Sequence, residues 1–211
     1  MELADREGIL ALSMRSLAGE LGVEAMSLYH HVERKEDLLA GIAELVMAEI
    51  ELPEGRTVAW RDAVRRMAVS YHAALRRHPW IHEIRTPPSR VGSGTLRYME
   101  WLLGTLRQAG FSALMTHHAY HILDSHIIGS AMWEAGIVSA LSKRSLDDLA
   151  RTFLGSIPIT EYPYVHEHTQ QHLGKITKGD KHPFELGLDL ILDGLDGLRD
   201  ERVEVDQGSR G

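Results

Sequence analysis

Apolar residues recur with the spacing of an α-helix along almost the whole chain. The clearest stripe lies in residues 60–75, where apolar side chains fall at i, i+4, i+7, i+8, i+11 and i+15 and so share one helix face. No segment shows a convincing alternation of apolar and polar residues, which a half-buried strand would need. The pattern therefore predicts an all-α fold.

Capping residues, glycines and prolines divide this pattern into separate helices. The predicted helices cover residues 14–21, 25–32, 34–50, 60–77, 96–109, 112–137, 145–154, 167–173 and 183–199, with a loop at 155–165. The first 45 residues hold short helices, and residues 46–199 hold longer ones. Residues 200–211 are predicted to be a flexible tail.

Composition narrows the class of protein. The chain has no cysteine, which excludes a disulfide scaffold and any zinc site built on cysteine. No apolar run approaches the roughly 18–20 residues that cross a bilayer. The first residues lack the basic start and apolar stretch of a signal peptide. We therefore expect a cytoplasmic protein that makes no contact with a membrane.

The most informative segment runs from Ser13 to Val32, where two short helices meet at a tight turn. Ser13 is a good N-cap for the first helix, and Gly22 stands where glycine often ends one. This arrangement is typical of a helix-turn-helix, whose second helix enters the major groove of DNA. Six residues are predicted to form the small core between the helices: Leu17, Ala18, Leu21, Val23, Leu28 and Val32.

The segment resembles the signature of the tetracycline-repressor (TetR) family. The matching pattern is Arg15-x-Leu17-Ala18-x-x-Leu21-Gly22-Val23, followed by Leu28-Tyr29-x-His31-Val32 and then Lys35-x-x-Leu38-Leu39. The later chain is similar, more loosely, to that family's effector domain, through residues 60–79 and 108–112. The resemblance implies a DNA-binding repressor with a helix-turn-helix domain at residues 1–45. It also implies a ligand-binding and dimerisation domain at residues 46–199, and release from a palindromic operator by a small-molecule effector.

The family match implies roles for eight residues in DNA binding. One group is expected to face base edges, and the other to contact phosphate or sugar. Ala25, Met26, Ser27 and His30 form the first group. Tyr29, His31 and Lys35 form the second, and Arg15 matches a position that touches the backbone or a base.

The effector half is expected to build a homodimer interface and a pocket. The resemblance implies an interface of two helices per subunit, which begin at Ser112 and Pro183 and end at about Ile137 and Arg199. In the last helix, Phe184, Leu188, Ile191, Leu195 and Leu198 form a heptad-like seam. The alternative is the buried core helix of a monomer, but we favour the interface because Leu186, Leu190 and Leu192 widen the apolar surface beyond one face. The candidate effector-binding residues are Trp101, Phe111, His121, His126, Trp133 and Glu134.

Thirteen histidines raise a second interpretation. His117 and His121, like His168 and His172, are four residues apart, the spacing at which one helix face offers two ligands to zinc. A metal-dependent hydrolase is therefore an alternative. The chain lacks HExxH, GxSxG and a glycine-rich phosphate loop. Solvated or capped histidines are the ordinary explanation, and we predict no enzyme, metal or cofactor.

The charge of the N-terminal segment supports a third interpretation. The first 42 residues carry eight acidic and four basic side chains, and the whole chain has a net charge of −7. DNA-binding modules usually present a basic face. A helical dimer that binds a ligand but no DNA is therefore the other alternative. A shortened first helix, represented only by residues 2–6, is expected to account for part of this acidic count.

Overall fold

The computed structural model describes residues 1–54, 59–84, 91–141, 146–173 and 182–208. Every regular element in these ranges is helical, as the sequence predicted. The α-helices are α1 (Glu2–Glu7), α2 (Met14–Leu21), α3 (Ala25–Leu28), α4 (Lys35–Ala48), α5 (Trp60–Arg77), α6 (Ser93–Gln108), α7 (Ala113–Leu141), α8 (Leu146–Ser156), α9 (Pro163–Leu173) and α10 (Pro183–Gly208). Short 3-10 turns cover Ile9–Ala11 and Pro79–Glu83.

Five predicted helix boundaries are corrected by three residues or more. Helix α6 begins at Ser93 rather than Leu96, because the Glu44 carboxylate accepts N–H groups at its start. Helix α7 continues to Leu141 rather than ending at Ile137, because residues 138–141 contain neither proline nor glycine. Helix α3 ends at Leu28 rather than Val32, because residues 29–31 continue as a turn with shorter-range backbone bonds, such as His30 N–H to Ser27 O. Helix α9 begins at Pro163, inside the predicted loop, since proline is tolerated in a first helical turn. Helix α10 continues past Arg199 to Gly208, because residues 200–206 contain neither proline nor glycine. Ser145, the predicted cap of α8, and residues 209–211 of the predicted tail lie outside the described residues.

The larger apolar core lies between α5, α6, α7 and α10. Its fully buried side chains include Met67, Leu102, Leu123 and Leu188. On the rim, Arg61 and Arg65 of α5 form ion pairs with Asp193 and Asp189 of α10, respectively. Burial of this many aliphatic and aromatic side chains is the main stabilising term of the effector half.

A smaller core joins the N-terminal helices to the rest of the chain. Leu3, Ile9 and Leu12 from α1 and the turn after it pack with Ile42 and Val46 of α4 and with Ala74 and Trp80. Helix α4 contributes to both cores, since Met47 at its C-terminal end belongs to the larger one. The N-terminal module is thus attached by packing as well as by chain connection. No helix in the described ranges is long and apolar enough to span a membrane.

Candidate nucleic-acid interface and effector core

The turn between α2 and α3 is built by local hydrogen bonds. Ser13 and Ser16 cap the start of α2 reciprocally: Ser16 N–H donates to Ser13 Oγ at 3.0 Å, and Ser13 N–H donates to Ser16 Oγ at 2.9 Å. Gly22 ends the helix with φ at +65°, a left-handed conformation that glycine adopts without steric cost. Val23 N–H then donates to Ala18 O at 3.0 Å. These bonds set the direction in which α3 leaves α2.

The core between α2 and α3 is smaller than predicted. Ala18 is buried, and Leu17, Leu28 and Val32 are half-buried, whereas Leu21 and Val23 are exposed. The reason is the length of α3, which is one helical turn and leaves the C-terminal end of α2 uncovered. The prediction that Leu21 and Val23 belong to this core is therefore wrong.

The eight predicted DNA-binding residues lie at the start of α2, on α3 and the turn after it, and at the start of α4. Arg15, Tyr29, His30 and His31 are exposed, and Met26 is 72% exposed. Ala25, Ser27 and Lys35 are half-buried. Ser27 Oγ donates to Glu24 O at 2.6 Å, so its hydroxyl proton is used within α3. The contacts of these residues with DNA stay a prediction.

Part of the acidic charge near this surface is neutralised within the module. Arg6 of α1 pairs with Glu20 of α2 at 3.0 Å and with Glu7 at 3.2 Å. Asp37 accepts the backbone N–H of Arg34 at 3.2 Å, where α4 begins. Arg15 and Lys35, by contrast, have no ion-pair partner among the described residues. Their charges therefore remain available to phosphate groups.

Helices α4 and α6 cap each other. The Glu44 carboxylate of α4 accepts the N–H groups of Gly92, Gly94 and Thr95 and the Thr95 hydroxyl, at 2.7 to 3.3 Å, where α6 begins. In return, Arg97 of α6 donates to the carbonyl oxygens of Ala48 and Ile50 at 3.2 Å, where α4 ends. The N–H groups at the start of α6 and the C=O groups at the end of α4 thus gain hydrogen-bond partners that their own helices do not supply. This reciprocal cap joins α4, the helix that follows the helix-turn-helix, to the effector half.

Burial and hydrogen bonds act in opposite directions on Glu44. Burial alone would raise the pKa of its carboxyl group, but the bonds from Thr95, Gly94 and Gly92 outweigh it and leave the pKa below the ordinary 4.5. The carboxylate is therefore charged at neutral pH, as a helix N-terminus favours.

A second set of polar contacts joins α1 to the end of α5. Asp5 Oδ1 accepts a hydrogen bond from Trp80 Nε1 and one from His78 Nδ1, each at 2.6 Å. His78 Nε2 faces Glu49 at 3.2 Å, and Arg77 also pairs with Glu49 at 2.6 Å. The buried His78 side chain lies between the carboxylates of Asp5 and Glu49 and thus connects α1 with the ends of α4 and α5.

The effector half holds a polar group between α6 and α7. Tyr98 donates its hydroxyl to Asp124 Oδ1 at 2.8 Å, and Tyr120, one turn before Asp124 on α7, also bonds it. Burial raises the pKa of Asp124, and the two tyrosine hydroxyls oppose that rise only in part. Burial, with the nearby Asp124 charge, raises the pKa of Tyr120 to about 12. Carboxyl and hydroxyl groups within an apolar core are typical of a small-molecule site. We call this set the Asp124 cluster.

Replacement of Asp124 by asparagine is expected to raise the free energy of unfolding at neutral pH. A carboxyl group whose pKa is raised by folding opposes folding once pH exceeds its ordinary value near 3.8. The wild type should therefore lose stability as pH rises from 4 to 7, relative to Asp124→Asn. Urea unfolding at both pH values measures this difference, and equal stability of the two proteins at every pH would contradict it.

The six predicted effector-binding residues lie in four separate places. Trp101 Nε1 donates to Pro53 O at 3.1 Å, and Phe111 packs edge-on against Trp60, both at one end of the larger core. His121 is exposed beside His117, with ring centroids 4.5 Å apart. Trp133 is 74% exposed on the outside of α7. The contacts described here do not join these four residues to one another, and their role in effector binding stays a prediction.

The remaining two, His126 and Glu134, belong to a stack around Phe184 of α10. His72 lies face to face with Phe184 at 3.9 Å, and His126 lies parallel to the same ring at 5.2 Å. His72 Nε2 faces Glu134 at 3.1 Å, and burial lowers the pKa of His72 although Glu134 opposes the shift. Gly187 makes room for the stack: a Cβ there would come within 2.5 Å of His126 Cε1.

Sequence reasoning missed Asp124 and His72. Asp124 is the only acidic residue between positions 113 and 133, so a lone carboxyl on a long apolar helix was the available signal. His72 lies on the same face as the apolar stripe of α5, which gave no separate signal. In the described part of the chain, no group of three or more histidine, aspartate or glutamate side chains is arranged to hold a metal ion.

Comparison with known proteins agrees with this arrangement. The family described as tetracyclin repressor-like, C-terminal domain, matches residues 52–198. The HTH-type transcriptional repressor DrrR1 of Streptomyces coeruleorubidus is 29% identical over 214 aligned positions, which cover 96% of this chain and 76% of that protein. An HTH-type transcriptional regulator of Saccharopolyspora erythraea is 34% identical, over 68% of this chain and 64% of its own length.

A solved structure extends the similarity to the whole fold. The TetR family protein ActR of Streptomyces coelicolor, in complex with actinorhodin, superimposes with a TM-score of 0.73 at 29% identity, over 94% of this chain and 93% of its own. The family match covers more than half of this chain, and the N-terminal signature and the helical architecture agree with it. This chain therefore belongs to the tetracycline-repressor family of transcriptional regulators.

Proposed function

We propose that this protein is a homodimeric repressor that binds a palindromic operator and leaves it when a small molecule enters the effector half. The observation that carries the proposal is the exposed helix-turn-helix, whose following helix α4 is capped reciprocally by α6 of the effector half. A conformational change in the effector half that moves α6 would thus also move α4 and the helix-turn-helix before it.

The DNA-binding roles follow from exposure and chemistry. Arg15 and Lys35 contact phosphate groups, which they neutralise. Tyr29 and His31 donate to phosphate or sugar oxygens from the turn after α3. The base edges are contacted by Ala25, Met26, Ser27 and His30, with the methyl groups of Ala25 and Met26 suited to thymine.

Exposed apolar residues on α7 and α10 support dimerisation through these two helices. The predicted seam is not their contact surface, because Phe184, Leu188 and Leu195 are buried within the same chain and Ile191 is half-buried; among the seam residues Leu198 alone is exposed. Other large apolar side chains of α7 and α10 are exposed instead, among them Met132, Trp133, Leu186 and Leu190. An exposed apolar surface of this kind marks a protein interface.

A charge placed on this surface should separate the subunits. We expect Leu190→Glu to raise the dimer dissociation constant at least about tenfold, because a carboxylate would be desolvated in the interface. Leu190 is 65% exposed, so its replacement leaves the core of the subunit intact. Leu96→Glu on α6, at a site that is 55% exposed, is the matched control. Sedimentation at several concentrations measures both variants, and equal dissociation constants would argue against this interface.

Effector recognition is assigned to the larger core and its Asp124 cluster. Hydroxyl and carboxyl groups in an apolar surrounding fix the orientation of a ligand, while aromatic walls supply most of the buried area. The complex of ActR with actinorhodin supports a small-molecule ligand for this chain. An effector that fits better in an arrangement other than the DNA-binding one shifts the population away from DNA.

Footprinting on the DNA that flanks this protein's own gene, at low salt, tests the proposal. We expect protection of a palindromic site, weakened by added salt and by Tyr29→Ala. Tyr164→Ala is the matched control, because Tyr164 is 83% exposed but lies on α9. Absence of protection there and on a genomic pool, from a folded dimer, would favour a ligand-binding protein that does not bind DNA.

A further inference from the structure

A cavity of about 450 Å³ lies between the N-terminal module and the effector half. Its walls come from α1 and the residue after it, from the end of α5 with the Pro79–Glu83 turn, and from the middle of α7. Its volume lies within the usual range of small-molecule sites, which also prefer junctions between domains. No member of the Asp124 cluster lines it, so it is distinct from the proposed effector site, although Glu134 borders it.

Small residues on two sides leave this space open. Ala4 of α1 and Gly8, which follows α1, line one side. Ala131 and Ala135 line the other, and their spacing of four residues places them on one face of α7. Pro79 and the ring of Trp80 close the apolar part.

The charge of the lining is negative. Three acidic residues, Asp5, Glu83 and Glu134, line the cavity together with one basic residue, Arg76, which pairs with Glu134 at 3.0 Å. The His78 side chain lies beside Asp5. Asp5 accepts the hydrogen bonds from His78 and Trp80 through Oδ1 alone, and an ionised carboxylate has about four acceptor positions, so Asp5 retains capacity for a further donor. Glu83 is exposed at the rim.

We propose that this cavity is a second ligand site, which takes a small organic cation: an ammonium group attached to an apolar or aromatic body. The ammonium group pairs with Asp5 and Glu83, and the body lies against Trp80 and the alanines of α7. Since Asp5 also holds His78, the ligand shares a carboxylate with the connection between α1, α4 and α5. Ligand binding at this site therefore acts on the contacts between the two halves rather than on the interior of the effector half.

Calorimetric titration of the full chain with three indole compounds tests this site without using DNA. Tryptamine carries the cation, tryptophol is its neutral counterpart, and indole-3-propionate is the anion. We expect saturable binding of tryptamine, with at least about tenfold weaker binding of the other two. Absence of saturable tryptamine binding, or equal binding of all three compounds, overturns the proposal.

Variants locate the binding. Ala135→Leu, which fills the cavity, should lower the affinity for tryptamine at least about tenfold. Glu83→Gln at the exposed rim should lower this affinity about three- to fivefold without disturbing the fold. Glu100→Gln, an exposed carboxylate on α6, should leave the affinity unchanged. If Asp124→Asn abolishes tryptamine binding while Ala135→Leu and Glu83→Gln retain it, the ligand occupies the effector core and the cavity is not its site. Operator footprinting remains a separate readout, so failure of one proposal does not decide the other.

Discussion

Glu44→Ala is expected to lower the free energy of unfolding by about 2–3 kcal/mol, because it removes a charged acceptor from several donors at the start of α6. The N–H groups of Gly92, Gly94 and Thr95 would then lose their partner. Chemical denaturation measures the loss. Glu36→Ala, an exposed carboxylate in the first turn of α4, is the control and should cost well under 1 kcal/mol.

The same carboxylate should give the protein a sensitivity to acid. Folding lowers the pKa of Glu44, so its contribution to stability is complete above the ordinary pKa of 4.5 and is lost as pH falls through the lower folded value. Glu44→Gln should lack this part of the acid response. A wild type and a Glu44→Gln variant with parallel stability between pH 5 and pH 3 would show that the cap does not depend on charge.

Lys35→Ala is expected to weaken operator binding at least about 100-fold. Each dimer loses two charge-assisted phosphate contacts, and each of these contributes roughly 1.5 kcal/mol or more. The slope of log K against log salt should also become shallower by about two per dimer. Fluorescence anisotropy with operator DNA at several salt concentrations gives both quantities.

The control for Lys35 is another basic residue that lies away from the DNA-binding surface. Arg66 of α5 forms an exposed ion pair with Glu51, so Arg66→Ala should leave the operator affinity and the salt slope nearly unchanged. A Lys35→Ala protein with the wild-type slope would mean that Lys35 does not contact phosphate.

The sequence predicted the helical fold because helical periodicity and strong breakers are local signals. Gly22 marked the turn after α2, and the stripe from Trp60 to Leu75 marked the face of α5 that is buried. Boundaries were less accurate where a residue type has two uses. Pro163, for instance, can break a helix or begin one, and the structure shows the second.

The contacts between the two halves could not be predicted from spacing. Glu44 and Thr95 are 51 positions apart, and Asp5 and His78 are 73 apart, so no local pattern relates them. The seam of α10 shows a second limit of prediction from the sequence. Periodicity indicated an apolar face at Phe184, Leu188 and Leu195, but an intrachain core and a dimer interface have the same pattern. Only the positions of α5 and α7 decide between them.

The stack of His126, Phe184 and Gly187 has a consequence for how this family can vary. Because a Cβ at position 187 would meet the ring at position 126, we expect the residues at these two positions to vary together. A relative with a larger residue at 187 would need a smaller or displaced side chain at 126. A chimaera that takes α7 from this chain and α10 from such a relative would therefore inherit a collision that neither parent has.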